Sequence, residues 1–408
     1  MFFYFSLFLW VIGSYNLLAS ETSNYYFPPE WETHSSLWVG VRTSKEGANY
    51  EPFLRKMFVH FADHVHLNMV IESSENFVGK ERYLSKISPD SSLYTIMSTD
   101  SAYFWLRDTG PIFLKNAEGK IKILAAPFSA YQRLHGRKGS LAVTDHRHFI
   151  KTIQKLTGYD VLSSDIVLEG GAFDVNGKGV VLLSPVILDR NSQLTKIQIE
   201  RKILKALGQK KAIWLKKGVA EDPYGFTRIT DNYWGRGTGG HLDQYVRFVN
   251  KTTIVLAWIP EEEKNISQIA NINFQRMQEN YEILNAETDQ DGKNFNIIKV
   301  PFPELITKEY IITAEQSSLY KQRNIDLKEG EKIEVVASAS YVNFIITNNL
   351  VMIPKYGDTV KTVASINKDK KMFAIMRKLF PRHEIIQIDP LVLNWHGGGM
   401  HCIAQQQP

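Results

Sequence analysis

A recurring strand–turn–strand–helix–strand pattern restricts this chain more than any other feature. Apolar, β-rich runs turn at Glu118-Gly119, Asn176-Gly177, Asn250-Lys251 and Asn348-Asn349. Each turn leads into a second apolar run, at 121–124, 180–183, 253–257 and 351–353. Asn-Gly between two such runs is a strong hairpin signal, because both residues tolerate the left-handed backbone that a tight turn needs. The first strands of these hairpins are expected within 102–114 and 170–175, and at 244–249 and 341–346. Helical apolar spacing follows, over 144–158, 192–207, 266–281 and 372–379. Near the N-terminus, a strand at 36–41 precedes a helix over 51–64 and a strand at 65–71, and a further strand is expected at 384–388. The count is five units if the N-terminal and C-terminal strands join in one of them. Repeats that cannot bury their own faces argue for a closed ring. Closure would seat the C-terminal strand against the N-terminal region. Residues 285–337 lengthen one interval and read as a surface excursion.

With 44% hydrophobic and 22% charged residues in 408, the chain has the balance of a globular body. Its net charge of +5 is small and its basic residues are scattered, which does not suggest a nucleic-acid partner. Residues 1–20 begin with an apolar run and end in small and polar residues, as an export leader does, without a preceding Lys or Arg. Export to the periplasm or medium is the expectation if this leader is used, and a cytoplasmic location if it is not. No membrane association is expected beyond it. Residues 21–408 contain no Gly/Ser- or Pro-rich linker and read as one domain.

The only cysteine, Cys402, follows Gly397-Gly398-Gly399 and sits near the C-terminus. Consecutive glycines let the backbone approach another group closely, so this terminus reads as tied down. A lone thiol in an exported protein cannot form an internal disulfide and is an oxidation liability unless it works. Three further motifs mark the starts of hairpins: Trp105-Leu106-Arg107-Asp108-Thr109-Gly110-Pro111, Leu168-Glu169-Gly170-Gly171 and Gly239-Gly240-His241-Leu242-Asp243. Taken singly, Asp108 reads as a turn cap, Glu169 as a partner of backbone N–H groups and His241 as a core histidine. In a ring of repeats, equivalent ends converge, and these residues become one site. On an extended segment His241 and Asp243 share a face, whereas His401 and Cys402 point apart. His241 is therefore the better partner for the thiol.

Several carboxylates with one His and one Cys are a poor zinc set. A hard cation would leave the thiol idle. A papain-like protease needs only one group to orient its His. The set suits a planar guanidinium, whose fork of N–H donors carboxylates accept in pairs. A thiolate can attack the electron-poor central carbon, and the His can protonate departing ammonia and later activate water. This is hydrolytic deimination through a covalent thiouronium, with no metal and no cofactor.

Those motifs, with Tyr341-Val342-Asn343-Phe344, Pro354-Lys355-Tyr356-Gly357-Asp358, Pro28-Pro29-Glu30-Trp31-Glu32 and the terminal Gly397–Gln406 run, resemble agmatine deiminase and its bacterial peptidylarginine deiminase relatives. They occur in the family's order and span nearly the whole chain after the leader. The resemblance implies an α/β fold, the five-bladed propeller of guanidino-group-modifying enzymes built from ββαβ units. It implies Cys402 as nucleophile, His241 as proton shuttle, Asp108 and Asp243 as guanidinium clamp, and Glu169 as a further guanidinium contact or the orienter of His241. Trp105 would pack on the substrate's aliphatic arm, or be a plain core residue. Agmatine is the first substrate expected, giving N-carbamoylputrescine in a route to putrescine. An arginine-containing peptide is the second. A silent exported binding protein is a remote third reading. A homo-oligomer is compatible with all three.

Overall fold

The computed structural model describes residues 24–42, 44–45, 48–72, 91–99, 104–132 and 141–408. The leader expected at 1–20 lies outside them. The protein is an α/β fold with mixed sheets. Five of the sheets share one design: an antiparallel pair with a further strand added in parallel. Ile112–Lys115 and Ile121–Ala125 pair antiparallel and Asp160–Ser163 adds in parallel. The same holds for Phe173–Val175, Val180–Leu183 and Lys211–Trp214. It holds again for Val246–Asn250, Thr253–Trp258 and Asn296–Pro301, and for Ile345–Thr347, Leu350–Pro354 and Glu384–Ile388. A parallel addition needs a crossover, and a helix supplies it each time: Leu141–Thr157, Lys196–Leu207, Gln268–Ala286 and Val363–Leu379.

The fifth such sheet joins the two ends of the chain. Ala404–Gln407 pairs antiparallel with Ser36–Val41, which pairs in parallel with His66–Glu72 after the helix Glu51–Phe61, and Tyr94–Thr99 adds beyond. The expected closure of C-terminal on N-terminal strand is therefore present. It is reinforced by side chains, since Trp38 Nε1 and Ser36 Oγ donate to Gln407 Oε1 at 2.7 and 3.0 Å. Two of the middle strands, Val180–Leu183 and Leu350–Pro354, are apolar throughout and buried along their length, as strands covered on both faces are.

Several boundaries differ from the expectation. Leu106–Thr109 is a helical turn, and the strand expected within 102–114 is confined to Ile112–Lys115. The next helix starts at Leu141, ahead of the expected 144. The helix expected from 192 starts at Lys196, where Thr195 forms a reciprocal side-chain cap with Gln198 worth about 1 kcal/mol, and a separate short helix, Val186–Arg190, precedes it. The helix expected at 372–379 begins at Val363, where Thr362 accepts from the Ser365 N–H. The excursion is also shorter than expected. Asn296–Pro301 belongs to a repeated sheet, while Thr307–Ile311 and Lys332–Val336 join a hairpin of Tyr224–Thr230 and Tyr233–Thr238 in a separate four-stranded sheet. Among the described residues no helix is long and apolar enough to cross a membrane.

What positions the site is the short turn ahead of the first strand of four units. These turns are Leu106–Thr109, Gly170–Ala172, Leu242–Gln244 and His401–Ile403. They touch one another in the interior.

Candidate active site

The turn His401–Ile403 buries Cys402 and surrounds its sulfur with polar groups. The Gly399 N–H and Asn343 Nδ2 donate to Sγ, each at 3.4 Å, and Gln244 Nε2 lies at 3.7 Å. The thiol itself donates to Asp243 Oδ2 at 3.5 Å. The triple glycine makes these contacts possible. A Cβ on Gly398 would lie 2.6 Å from the Trp105 ring, and one on Gly399 2.2 Å from Asn343 Oδ1. Burial, then Asp243 and Asp108, push the Cys402 thiol well above its ordinary value, against the pull of the Gly399 and Asn343 donors. N–H groups stand in place to receive a thiolate at the sulfur.

Asp243 is held by a buried charged cluster beneath it. His401 Nδ1 lies 2.8 Å from Asp243 Oδ2, and His401 Nε2 lies 2.7 Å from Glu30 Oε1. Glu30 also binds Arg107 Nη1 at 3.1 Å and Arg247 Nη2 at 2.5 Å. Burial alone would raise Glu30, but Arg247, His401 and Arg107 hold it well below the carboxylate range. Burial is likewise outweighed at Asp243, where His401 keeps the carboxyl below its usual value.

The other half of the site is built on the turns 106–109 and 170–172. His241 Nε2 faces Glu169 Oε2 at 2.8 Å, and its Nδ1 lies 3.5 Å from Asp108 Oδ1. Burial pulls His241 down, yet Asp108 and then Glu169 outweigh it and lift its pKa to about 9. Arg190 fixes Glu169 through Nε and Nη2, at 2.8 and 3.2 Å. Asp108 accepts from the Tyr131 hydroxyl at 2.8 Å and from the Gly171 N–H at 3.1 Å. Burial first, and the nearby Glu169 and Asp243, raise its pKa to about 6. Asp222 sets the backbone here, accepting from the N–H groups of Thr238, Gly240 and His241. Four buried atoms of these side chains, Arg107 Nε, Arg190 Nη1, His241 Nδ1 and Asp243 Oδ1, have no hydrogen-bond partner among the described residues, and the last two face the thiol's surroundings.

Cys402, His241, Asp108, Glu169 and Asp243 therefore meet, as expected. Asp108, Asp243 and Cys402 lie within the short turns, and Glu169 and His241 immediately precede theirs in extended backbone. His401 is turned to carboxylates and makes no contact with the sulfur, which agrees with its rejection as the thiol's partner, although the extended geometry behind that rejection is absent. Trp105 is half-buried, packed edge-on against Phe104 and under Gly398. Sequence reasoning assigned no role to Arg190, Tyr131, Asp222, Gln244, Asn343 or Glu30. Gln244 and Asn343 carried a signal: each is a polar amide leading into an apolar strand, beside an already suspected group or motif. Arg190 and Asp222 carried none, since their partners lie 21 and 19 residues away in unrelated loops.

Among the described residues, no group of three or more His, Cys, Asp and Glu side chains is arranged to hold a metal ion. Agmatine deiminase of Medicago truncatula is 27% identical over 405 residues, covering 94% of this chain and 96% of its own. Agmatine deiminase of Pseudomonas fluorescens is 28% identical over 318 residues, 76% of each chain. The solved agmatine deiminase of Enterococcus faecalis superposes with a TM-score of 0.73 at 23% identity, covering 94% of this chain and 96% of that one, and so shares the fold. The sequence model of the Porphyromonas-type peptidyl-arginine deiminases matches residues 26–408, and this chain belongs to that family.

Proposed function

We propose that this protein hydrolyses a guanidine to a urea and ammonia, with agmatine as substrate and N-carbamoylputrescine as product. One observation carries the reading: a buried thiol shares one small space with three carboxylates and a histidine, and two atoms there, His241 Nδ1 and Asp243 Oδ1, are unpaired among the described residues. A buried polar atom costs about 1–3 kcal/mol when unmatched, and a guanidinium would match a carboxylate oxygen. Relatives of known name at 27–28% identity are agmatine deiminases.

In this reading Asp108 and Asp243 hold the guanidinium. The arriving cation offsets the two carboxylates that keep Cys402 protonated, so the thiolate forms only with substrate bound. Sulfur attacks the guanidine carbon. The amino group leaves as ammonia with a proton from His241, and the thiol proton, released when the cation binds, converts that ammonia to ammonium. The covalent thiouronium remains. His241, now able to accept, takes a proton from water, which adds to the same carbon. Collapse expels the sulfur, and Cys402 is restored. Glu169, itself clamped by Arg190, holds the ring so that Nδ1 faces the reacting centre. Trp105 would lie along the aliphatic arm. No step requires a metal or cofactor. The five repeated sheets would be five blades of one propeller, with 21–408 a single catalytic domain behind an export leader at 1–20. The description of the matching family favours a second reading, arginine in a peptide as substrate.

The test is ammonia release from agmatine by wild type and by Cys402→Ser, alongside mass analysis of an arginine-ended peptide. Turnover by the wild type, lost in the variant, is expected. Activity that survives the substitution removes the covalent mechanism, and a mass shift of the peptide with no agmatine turnover moves the substrate to the second reading.

A further inference from the structure

Beside the site lies a groove of about 530 Å³ that the reaction above does not use. Its floor is the four-stranded sheet outside the five repeats. Strand alternation aims Lys308 and Tyr310 to one face, and their cross-strand partners Val335 and Ile333 to the same face. The helix Ala314–Gln322 covers part of that face, contributing Leu319, and Arg323 follows at its end. Trp395 and His396 form the far wall. The acidic residues of these strands, Glu309 and Glu334, are cross-strand partners on the opposite face, where Glu309 pairs with Lys332. No carboxylate is among the described lining residues.

Two features give the groove its chemistry. It carries cations against aromatic faces, with Lys308 Nζ 4.4 Å from the centre of the Trp395 ring and the Arg236 guanidinium 5.6 Å from that of Phe226. It also leaves large apolar side chains in solvent, with Tyr310 41% and Leu319 42% exposed. Such a surface is complementary to a ligand that is both anionic and apolar.

The groove is joined to the catalytic loop. Trp395 and His396 run directly into Gly397–Gly399, and the Gly399 N–H touches the Cys402 sulfur at 3.4 Å. The Arg236 carbonyl would lie 2.6 Å from a Cβ on Gly397, so the groove wall and the loop are packed without a gap. Ser338 ties both, its hydroxyl donating to the Arg236 carbonyl at 2.8 Å and its N–H to the Asn394 carbonyl at 3.0 Å.

We propose that this groove is a docking site for a peptide segment bearing carboxylates and an aromatic or aliphatic side chain, which holds an arginine-containing polypeptide next to the deiminating centre. The proposal rests on the peptidyl-arginine reading for its purpose, though not for the binding itself. Agmatine, a small dication, has no use for the groove.

The experiment titrates a fluorescent acidic peptide without arginine, acetyl-Glu-Trp-Glu-Phe-Glu amide, into the full-length protein and follows anisotropy. A second peptide has Gln for each Glu. The proposal expects binding of the acidic peptide, binding at least about tenfold weaker for the Gln version, and loss of affinity with rising salt. It expects the double variant Lys308→Glu with Arg323→Glu to bind about tenfold more weakly while agmatine turnover stays at the wild-type value. Lys308→Gln with Arg323→Gln gives a milder version should the charge reversal fold poorly. Equal affinity for both peptides, or an unaltered affinity in either double variant, overturns the proposal. Benzoate or inorganic phosphate binding there with no peptide binding would also overturn it, making the groove a small-anion site. Peptide binding with neither agmatine nor peptidyl-arginine turned over would leave the groove intact and remove the deiminase reading instead.

Discussion

Gly171→Ala adds one methyl group at the most crowded point of the site. Its Cβ would lie 2.5 Å from His241 Nδ1 and 3.1 Å from Asp108 Oδ1, the first about 0.9 Å short of the 3.4 Å where ordinary contact begins. The imidazole cannot swing aside, because Glu169 holds its Nε2 at 2.8 Å and Asp222 holds the His241 backbone N–H at 2.8 Å. The ring must therefore shift by nearly an ångström, or the methyl must shield the nitrogen that exchanges protons with substrate. A misplacement of about 1 Å costs on the order of 100-fold in rate, or about 2.7 kcal/mol in the barrier. The backbone tolerates the change, since Gly171 is not among the residues with positive φ, and overpacking costs about 1–3 kcal/mol of stability. The variant should fold, melt slightly earlier and lose about two orders of magnitude in kcat, read as ammonia release from agmatine. Gly330→Ala is the control. It strains a left-handed turn at φ 78° but meets nothing within 4 Å, so it should lose stability and keep its rate. A Gly171→Ala protein with kcat within threefold of wild type would refute the assignment of His241 Nδ1 to the reacting centre.

The pH profile of kcat/KM reports the free protein and should be bell-shaped. Its acid limb, near pH 6, marks protonation of Asp108 and loss of the clamp; its alkaline limb, near pH 9, marks loss of the His241 proton needed by departing ammonia. A profile flat down to pH 5 contradicts this. The same histidine gives a stability effect: its folded pKa of about 9 exceeds the ordinary 6.5, so the stabilisation is complete below pH 6.5 and fades as pH rises through about 9. Glu30→Gln keeps the shape but strips the charge that Arg107, Arg247 and His401 share, and breaking such a buried cluster costs about 3–5 kcal/mol. A denaturant titration showing a loss below about 1 kcal/mol would mean the cluster contributes little.

Local chemistry marked much of this molecule. The turn at Asn176-Gly177 and the strands around it form where the sequence reads them, because residue type and conformational need coincide there. The separate sheet was illegible. Its hairpin at 224–238 is diluted by Gly225, Gly235 and Gly237, so alternation fails, and it is completed by a strand about a hundred residues later. The first turns of the helix Val363–Leu379 leave Val363 and Ile366 exposed, so no buried apolar stripe marks them and they are visible only through the Thr362 cap. At the site, the reacting groups stood out as charges placed beside glycines at the starts of apolar strands. Their supports did not. Arg190 sits at the end of an amphipathic stretch like any surface cation, and only the fold brings its guanidinium to Glu169. Glu30 is one acid in a Pro-rich approach, with its partners Arg247 and His401 217 and 371 residues away.

The pairing of Ala404–Gln407 with Ser36–Val41 has a consequence for how this protein fails. Gln407 meets Ser36 across 371 residues of sequence. Drawing such distant segments together costs little more than for a much shorter span, since the entropic term grows only with the logarithm of length. The strand that makes this pairing is also the segment that follows the sulfur directly. Should it unzip, the reactive atom departs with it while the four remaining hairpin sheets keep their own hydrogen bonds. Heat should thus extinguish turnover at a temperature where most of the circular dichroism survives, and cooling should restore both together.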